Sequence, residues 1–426
     1  MHHFAYRNGT LHAESVSLEG IATEVGTPVY VYSTATLLRH YQVFEEAFAG
    51  QRAHVFYAMK ANSNLAVLQT LARAGAGADT VSEGEIRKAL AAGIPAGKIV
   101  FSGVGKSDQE LAFAVATGIY QVNIETEDEL HALSRIAAAQ GKRQAAVFRV
   151  NPDVGAGANA KITTGGAENK FGISLGEVGR LYDVAANLSG VRLMGLAVHI
   201  GSQIRTVAEF APAFARIRDL VVGLQKRGHR VERADLGGGL GIPYEMAEAE
   251  THGPDLIQAY AAMVQATFKG LDVELGFEPG RLIVGNAGIL LTRVLRQNAR
   301  DDRLFAVVDA AMNDLARPAM YESFHDLMTV RDTAKGAPRL ATELVGPICE
   351  SSDTFMPEGP RSLPPLQPGD LVALMTAGAY GASMSSTYNT RLLVPEVLVN
   401  GDQFAVVRPR QTYAELLGLD RKAPWL

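Results

Sequence analysis

One unit repeats along the chain between residues 54 and 278. It consists of an apolar run of strand length, then Ser or Thr with Glu three residues later, then an alanine-rich stretch that ends at Gly. Such a Ser/Thr and Glu pair can satisfy the free amides at the start of a helix, so each pair predicts a capping box. Five copies carry the pair: Ser82/Glu85, Ser107/Glu110, Thr126/Glu129, Ser174/Glu177 and Thr206/Glu209. Glycine is predicted to end the first three helices, at Gly93, Gly118 and Gly141.

Eight apolar runs precede or separate these predicted helices. They are HVFYAM from His54, GADTV from Gly77, KIVFSG from Lys98, YQVNI from Tyr120, QAAVFRV from Gln144, RLMGLAVHI from Arg192, RADLGG from Arg233 and DVELGFE from Asp272. Runs that are apolar rather than alternating indicate parallel strands covered on both faces. Eight strand–helix units favour an α/β fold with a closed TIM-like (β/α)8 barrel, and a doubly wound open sheet is the alternative.

The pattern changes after about residue 290. The runs ILLTRVLRQ, RLFAVVDA, DLVALM and FAVVRPR resemble strands, their connections carry Pro and Gly, and helical periodicity is scarce. We therefore predict a barrel over residues 34–289 and a mainly β domain over residues 290–426. The N-terminal segment, residues 1–33, contains TPVYVYS from Thr27, which we expect to join the β domain because the barrel is complete without it.

Charge and composition exclude several classes of function. The formal net charge of −5 leaves no basic surplus for nucleic acid, so no nucleic-acid partner is expected. The polar start of the chain and the lack of a long apolar stretch predict neither a signal peptide nor a membrane span, hence a soluble cytoplasmic protein. The single cysteine, Cys349, cannot form an internal disulfide, which fits a reducing compartment.

Polar residues, or glycines after the seventh, stand at the ends of the predicted strands, where barrel enzymes carry their chemistry. They are Lys60, Asp79, Ser102, Asn123, Arg149 with Asn151, His199, Gly237 to Gly239, and Glu278 with Arg281. Lys60 follows the apolar YAM, so its amine could be partly desolvated and suited to Schiff-base chemistry. A surface lysine that opens the loop KANSN is an equally good interpretation of Lys60 from its position alone.

The seventh and eighth strands end in DLGGGLG and EPGR, where barrels commonly bind phosphate. Three glycines allow backbone amides to approach an anion, and Arg281 adds positive charge. The glycines alone would indicate a flexible turn, but with Arg281 on the adjacent strand they favour a phosphate site.

Glu278 would be costly to bury as an anion without a positive partner. A pyridinium nitrogen would be such a partner and would stay protonated beside it; a salt bridge to Arg281 is the alternative. His199 could lie against a flat cofactor ring, or it could be an ordinary hydrogen-bonded core histidine.

Several familiar motifs are incomplete. SGVGKS from Ser102 lacks the first glycine of a P-loop, and no glycine-rich segment completes G-x-G-x-x-G. The chain contains no HExxH motif and no cysteine cluster, so we predict no catalytic metal.

Eight motifs in order resemble the diaminopimelate decarboxylases, which are pyridoxal 5′-phosphate (PLP) enzymes of the fold-type III group together with alanine racemase and ornithine decarboxylase. The motifs are YAMKAN at Tyr57, HIGSQI at His199, DLGGGLGI at Asp235, EPGR at Glu278, RPAMY at Arg317, GPICESSD at Gly346, GAYG at Gly378 and SSTYNTR at Ser385. The resemblance covers the chain from about Val25 to its end. It implies decarboxylation of meso-2,6-diaminopimelate to L-lysine and carbon dioxide, the last step of bacterial lysine synthesis.

The resemblance also implies roles for individual residues. Lys60 would bind the cofactor as a Schiff base, His199 would stack on the ring and Glu278 would face the ring nitrogen. The implied cofactor-binding residues are Lys60, Asp79, His199, Ser202, Gly238, Gly239, Glu278, Pro279, Gly280, Arg281 and Tyr388. The implied substrate-binding residues are Arg281, Arg317 and Tyr321 for the distal carboxylate, Glu350 for the distal amine, and Tyr388.

A homodimer with shared active sites is a further implication of the resemblance. Cys349 and Glu350 of one subunit would reach the active site of the other, with Cys349 as the proton donor. Without the CES motif, a lone cysteine would be interpreted as a small buried hydrophobe. One segment departs from the pattern: GANAKITTGGAENKFGIS lacks the His-Pro pair that many members carry before Thr-Gly, so we expect an atypical loop at residues 155–174.

Other functions fit the sequence less well. Arg317 and the CES segment argue against decarboxylases of carboxynorspermidine or another diamino acid, and Glu278 argues against alanine racemase, which is expected to place an arginine at the ring nitrogen. A PLP-carrying barrel without turnover would lack residues 290–426. A class I aldolase would need the barrel lysine but no site for a pyridinium.

Overall fold

The chain forms two compact units in a computed structural model that describes residues 2–154, 170–245, 254–300, 303–333 and 338–425. One unit consists of the described residues of Leu38–Ile242 and His252–Ile283. The other consists of those of Met1–Leu37, Pro243–Thr251 and Val284–Leu426. Most of the atypical segment, residues 155–169, lies outside the described residues, and the domain bounds that we inferred from the sequence stay a prediction.

The first unit is built on a closed barrel of eight parallel strands. In chain order these are Ala53–Ala58 (β1), Gly77–Thr80 (β2), Ile99–Phe101 (β3), Gln121–Ile124 (β4), Gln144–Asn151 (β5), Val191–Ala197 (β6), Arg233–Asp235 (β7) and Glu274–Phe277 (β8). Each strand pairs with its neighbour in sequence, and β8 pairs with β1 to close the barrel. A short strand, Ile173–Ser174, adds to β5. The prediction of a TIM-like barrel is confirmed, and the open-sheet alternative is wrong because the β8–β1 pairing leaves no edge.

Helices precede the first barrel strand, connect the strands and follow the last one. Their bounds are Thr34–Glu46, Leu65–Arg73, Glu83–Ala91, Asp108–Thr117, Glu127–Ala139, Val178–Ala186, Ala211–Lys226, Pro254–Phe268 and Arg281–Val284. Ser107 and Glu110 form a complete capping box, in which each side chain accepts a hydrogen bond from the other residue's amide. Gly118 then ends that helix in the left-handed conformation.

In two other predicted capping boxes, only one of the two reciprocal hydrogen bonds forms. Ser82 and Thr126 cap their helices by accepting from the amides of Glu85 and Glu129. The glutamate side chains do not return to the capping residue, because each accepts instead from the amide one position earlier, at Val81 in the first case and Glu125 in the second.

The last two predicted capping boxes are wrong. The helix after Ser174 begins at Val178, and its N-terminal residue Glu177 makes no capping bond through its side chain. The helix after Thr206 begins at Ala211, where Pro212 fits the first turn because it has no amide to satisfy. Thr206 donates its hydroxyl to the Glu209 carboxylate at 2.7 Å, and its side chain makes no capping hydrogen bond to a backbone amide.

The second unit contains a mixed nine-stranded β-sheet. Its strands are Val29–Ser33, Gly288–Ala299, Leu304–Val308, Leu327–Thr329, Leu340–Val345, Arg361–Leu363, Leu371–Leu374, Glu396–Asn400 and Gln403–Arg408. The strand within TPVYVYS, Val29–Ser33, pairs antiparallel with Gly288–Ala299 and parallel with Glu396–Asn400. The expected separate β domain is therefore present, and an N-terminal strand lies inside its sheet.

Smaller elements complete the second unit. A three-stranded sheet consists of Phe4–Arg7, Thr10–Ala13 and Val16–Ser17. The helices are Leu18–Glu24, Arg317–Tyr321 and Tyr413–Leu417. Apolar residues of the small sheet, of Leu18–Glu24 and of the large sheet pack into one buried cluster. Within the described part of the chain, no helix combines the length and apolarity needed to cross a membrane.

Gly195 provides a test of the barrel packing. A Cβ at this position of β6 would lie 1.9 Å from the Arg233 carbonyl oxygen of β7, so backbone would have to move. We expect Gly195→Ala to lower the melting temperature by several degrees, whereas Gly223→Ala is the matched control. Gly223 lies in the helix Ala211–Lys226 with nothing within 4 Å of its Cβ, so alanine there should stabilise the helix by about 1 kcal/mol. Thermal unfolding followed by circular dichroism measures both; equal melting temperatures for wild type and Gly195→Ala would contradict the packing.

Candidate active site

Lys60 lies in a short helical turn, Met59–Ala61, directly after β1. Its Nζ donates to Oδ2 of Asp79 at 2.6 Å. Asp79 is fully buried in β2, which pairs in parallel with β1, so the two side chains meet at the same end of the barrel. An ion pair to a buried carboxylate distinguishes Lys60 from a solvated loop lysine.

The glycines after β7 are required by close backbone packing. A Cβ on Gly238 would lie 2.2 Å from the Glu278 carbonyl oxygen, and one on Gly239 would lie 2.5 Å from the Gly201 carbonyl oxygen. Gly239 also has a φ of +111°, which side chains rarely tolerate. The three glycines are thus not a loose turn; they let the loops after β6, β7 and β8 approach one another at the backbone.

Arg281 and Ser202 supply polar groups beside these loops. The buried Arg281 guanidinium donates to Oγ of Ser202 at 3.2 Å. A Cβ on Gly280, in the EPGR turn with Pro279, would lie 3.1 Å from the Cβ atoms of Ala58 and Ala61. The turn that carries Arg281 therefore packs against the turn that carries Lys60. A guanidinium, a hydroxyl and closely packed glycine amides are a donor set that suits a phosphate.

Glu278 is a buried carboxyl in acidic surroundings. It follows β8, is 9% exposed, and accepts a hydrogen bond from Nδ2 of Asn123 at 3.2 Å. Burial raises the pKa of Glu278 well above its usual range, and the negative charges of Asp235 and Asp79 raise that pKa further. The positive charges of Lys60 and Arg149 act in the opposite direction. Burial also raises the pKa of Asp235, to about 6. A cation placed beside Glu278 would offset this excess of buried negative charge.

His199 follows β6 at the same end of the barrel. Its Nδ1 accepts a hydrogen bond from the Gly238 amide at 3.3 Å, which places the ring proton on Nε2 when the imidazole is neutral. Burial lowers the pKa of His199 well below its usual range, and the positive charges of Arg149 and Lys60 lower it further. His199 is therefore a neutral, oriented ring that can stack on a flat cofactor without repelling a cationic one.

These residues together fit pyridoxal 5′-phosphate. Lys60 offers an amine for the aldehyde, the glycine amides with Ser202 and Arg281 offer donors for the phosphate, and Glu278 offers a buried carboxylate for a protonated ring nitrogen. Asp79 adjoins the amine. Within the described ranges, no three His, Cys, Asp or Glu side chains are grouped so that they could hold a metal ion.

Arg317 lies in the second unit, where it begins the helix Arg317–Tyr321 and is 5% exposed. Its guanidinium contacts Nε2 of His325 at 2.7 Å and Oγ of Ser323 at 3.2 Å, and lies over the Tyr244 ring at 4.6 Å. Nδ1 of His325 bonds to the Met375 carbonyl oxygen at 2.9 Å, so Nε2 is the acceptor for the arginine. The half-buried Tyr321 ends the same helix.

Cys349, Glu350 and Tyr388 form an exposed group in the second unit. The Tyr388 hydroxyl donates to the Glu350 carboxylate, and this hydrogen bond is the main cause that raises the pKa of Tyr388. The Cys349 amide donates to Oδ1 of Asn389 at 3.4 Å. Cys349 itself is exposed, so the alternative of a small buried hydrophobe is wrong.

Several residues at these sites were missed by the sequence reasoning. Inside the barrel, Gln121 donates a hydrogen bond to Asp235, whose charge raises the pKa of Glu278. In the second unit, Arg317 contacts His325 and lies over the Tyr244 ring. Alternate polar residues on β4 and β7 are a signal with the period of a strand, which could have identified Gln121 and Asp235. His325 and Tyr244 had no comparable signal, because they meet Arg317 only in the folded chain.

Comparisons with known proteins agree with this geometry. Residues 34–285 match the family model "Pyridoxal-dependent decarboxylase, pyridoxal binding domain". The chain is 47% identical to a diaminopimelate decarboxylase of Pseudomonas fluorescens, with 99% of each chain covered, and 42% identical to one of Zymomonas mobilis, again with 99% of each covered. The crystal structure of diaminopimelate decarboxylase from Helicobacter pylori complexed with L-lysine is 36% identical, with a TM-score of 0.88 over 94% of this chain and 98% of that one. The chain belongs to the diaminopimelate decarboxylase family of PLP-dependent, fold-type III enzymes.

Proposed function

We propose that this chain removes carbon dioxide from meso-2,6-diaminopimelate to give L-lysine, with PLP attached to Lys60. The observation that carries the proposal is the set of groups at one end of the barrel. There Lys60 is paired with Asp79, three loops meet through glycine beside Arg281, and Glu278 is buried among acidic groups. When bound, the cofactor accepts the electron pair that the departing carboxylate leaves behind.

The residues of the barrel hold and orient the reacting groups. Asp79 accepts from the Lys60 amine and so fixes its direction, and Glu278 holds the proton of the ring nitrogen. Arg281, Ser202, Gly238, Gly239 and Gly280 bind the phosphate, with Pro279 shaping the turn. His199 covers one face of the ring, and its bond from the Gly238 amide keeps the imidazole in place.

Residues of the second unit recognise the distal end of the substrate. In this proposal Arg317 and Tyr321, with Arg281, bind the distal carboxylate, while Glu350 and Tyr388 bind the distal amine. Arg317 is already oriented by His325, which argues for a fixed carboxylate site. Ornithine and lysine lack a second carboxylate, so they would leave buried arginine donors unmatched, which is costly in a closed site.

Cys349 is proposed to return the proton to the α-carbon, and to do so from the partner subunit of a homodimer. Its exposure, beside Glu350 and Tyr388, supports a role for this group on a surface that a second chain covers. A solvent-exposed thiol can donate a proton only if it is held against the substrate, and a partner's active site would supply that contact. A cytoplasmic location stays a prediction from the sequence.

The Lys60 assignment is tested by absorbance. Lys60→Ala should lose the visible band of the lysine-bound cofactor and at least about a thousandfold of kcat, because the variant lacks the amine that the proposal assigns to the Schiff base. Lys98→Ala is the matched control, since Lys98 is exposed and its amine donates to the Gly75 carbonyl oxygen. An unchanged visible band in purified Lys60→Ala would disprove the assignment.

Substrate choice is tested at Arg317. Arg317→Gln should raise KM for meso-diaminopimelate by roughly 10- to 100-fold, the size of one or two charge-assisted hydrogen bonds. Its visible cofactor band should remain normal. Carbon dioxide release from a panel of meso-diaminopimelate, ornithine and lysine measures both wild type and variant. Preference of the wild type for ornithine or lysine would refute the proposed substrate.

The shared active site is tested by mixing two inactive variants. Lys60→Ala and Cys349→Ala homodimers should each be nearly inactive, but subunit exchange would create heterodimers with one intact site. An equal mixture should therefore regain up to about a quarter of wild-type activity if subunits combine at random. Size-exclusion chromatography with light scattering verifies the dimer and serves as the control. No recovery after proven exchange would mean that Cys349 serves its own subunit.

A further inference from the structure

A line of polar side chains runs through the barrel interior and ends at Glu278. Gln121 and Asn123 alternate on β4, and Arg233 and Asp235 alternate on β7, so each pair faces one side of its strand. β4 and β7 are separated by β5 and β6 in the sheet. The 3.1 Å bond from Nε2 of Gln121 to Oδ2 of Asp235 therefore crosses the inside of the barrel.

Hydrogen bonds connect these groups in one direction. Arg233 donates to Oε1 of Gln121 at 3.3 Å. Nε2 of Gln121 donates to Oδ1 of Asn123 at 2.9 Å, and Nδ2 of Asn123 donates to Oε1 of Glu278 at 3.2 Å. Nδ2 of Asn123 also donates to Oγ of Ser102 at 3.0 Å.

The direction of this chain is fixed at its first member. A guanidinium can only donate, so Gln121 must turn its oxygen toward Arg233 and its amide nitrogen toward Asn123. Asn123 must then accept on Oδ1, because a reversed amide would place two N–H groups against each other. Its remaining N–H groups necessarily face Glu278 and Ser102. Arg233 is itself held, with its guanidinium 3.7 Å from the Tyr120 ring centre.

An interior of this kind is costly to build. Barrel interiors are usually filled with layers of branched apolar side chains, and a buried amide costs free energy unless its hydrogen bonds are satisfied. Here Gln121, Asn123 and Asp235 are each at most 2% exposed. Room for Asp235 depends on Gly276 of β8, where a Cβ would lie 3.0 Å from Cγ of Asp235.

We infer that Arg233, Gln121 and Asn123 are positioning residues that present a fixed N–H donor to Glu278 and so orient its carboxylate toward the ring nitrogen of the cofactor. The donor stabilises the ionised carboxylate, which in turn holds the ring proton. The inference rests on the proposed assignment of Glu278 to that nitrogen. None of the three residues needs to touch substrate or cofactor for this role.

Cofactor binding separates this role from simple packing. The apoprotein is titrated with PLP and with an analogue in which carbon replaces the ring nitrogen, and the ratio of the two Kd values reports the nitrogen interaction alone. Asn123→Leu should reduce the preference for PLP by roughly tenfold, the effect of one hydrogen bond to a charged group. Gln121→Leu should reduce it by less. Ser102→Ala is the matched control, because it removes the other acceptor of Asn123 and should leave the ratio unchanged.

Each outcome decides between explanations. If Asn123→Leu weakens binding of both compounds equally, the residue only shapes the pocket and the inference is wrong. Asn123→Ala is titrated in parallel, so that a folding defect in the leucine variant, detected by circular dichroism, does not prevent the comparison. Glu278→Gln tests the assignment of Glu278 to the ring nitrogen, on which this inference rests. If its ratio of the two Kd values equals that of wild type, Glu278 does not face the nitrogen. If Glu278→Gln lowers the preference for PLP over the analogue but neither Asn123 variant does, the positioning role of Arg233, Gln121 and Asn123 is wrong while the Glu278 assignment stands.

Discussion

The burial of the Glu278 carboxyl among other acidic side chains is the constraint on which the rest of the barrel site depends. Asp79 and Asp235 raise its pKa electrostatically, and burial removes the water that would otherwise stabilise three carboxylates. Lys60 and Arg149 are the positive charges that act against this. In the proposed assignment, a protonated pyridine nitrogen would add a further cation at Glu278, so the pocket would bind the charged form of the cofactor best. A ring held in that form would be an effective electron acceptor.

The barrel topology brings this constellation together. Parallel strands place all of their C-terminal ends on one face, so Lys60, Asp79, His199 and Glu278 converge although they are far apart in sequence. Glycine then allows the loops to close around the site at backbone distance, since a Cβ on Gly238 would strike the Glu278 carbonyl oxygen. In the proposed assignment, adjoining loops of one scaffold would therefore set both the affinity for phosphate and the orientation of the ring nitrogen.

Much of this arrangement could be predicted from the sequence, because the signals are local. The eight apolar runs all form strands, and the residues at their ends predict which end of the barrel carries the candidate site. Hydrogen bonds to side chains were harder to predict. Ser107 forms a complete capping box, yet Ser174 and Thr206 do not, because the next helices begin only at Val178 and Ala211. The sequence motif is the same in each case, so the point at which the helix begins decides whether the box forms.

Contacts across the barrel could not be predicted in the same way. Gln121 and Asp235 meet only when two non-adjacent strands face each other across the interior, and His325 reaches Arg317 only after the chain has folded. The exposure of Cys349 is likewise a tertiary property; it excludes the alternative of a small buried hydrophobe, while the role as proton donor stays a proposal.

The protonation state of the cofactor ring tests the central claim most directly. NMR spectroscopy of the holoenzyme reconstituted with cofactor that is isotopically labelled at the ring nitrogen distinguishes a protonated from a neutral pyridine. A protonated nitrogen near neutral pH that becomes neutral in Glu278→Gln is the predicted result. A nitrogen that is already unprotonated in the wild-type enzyme would contradict the account.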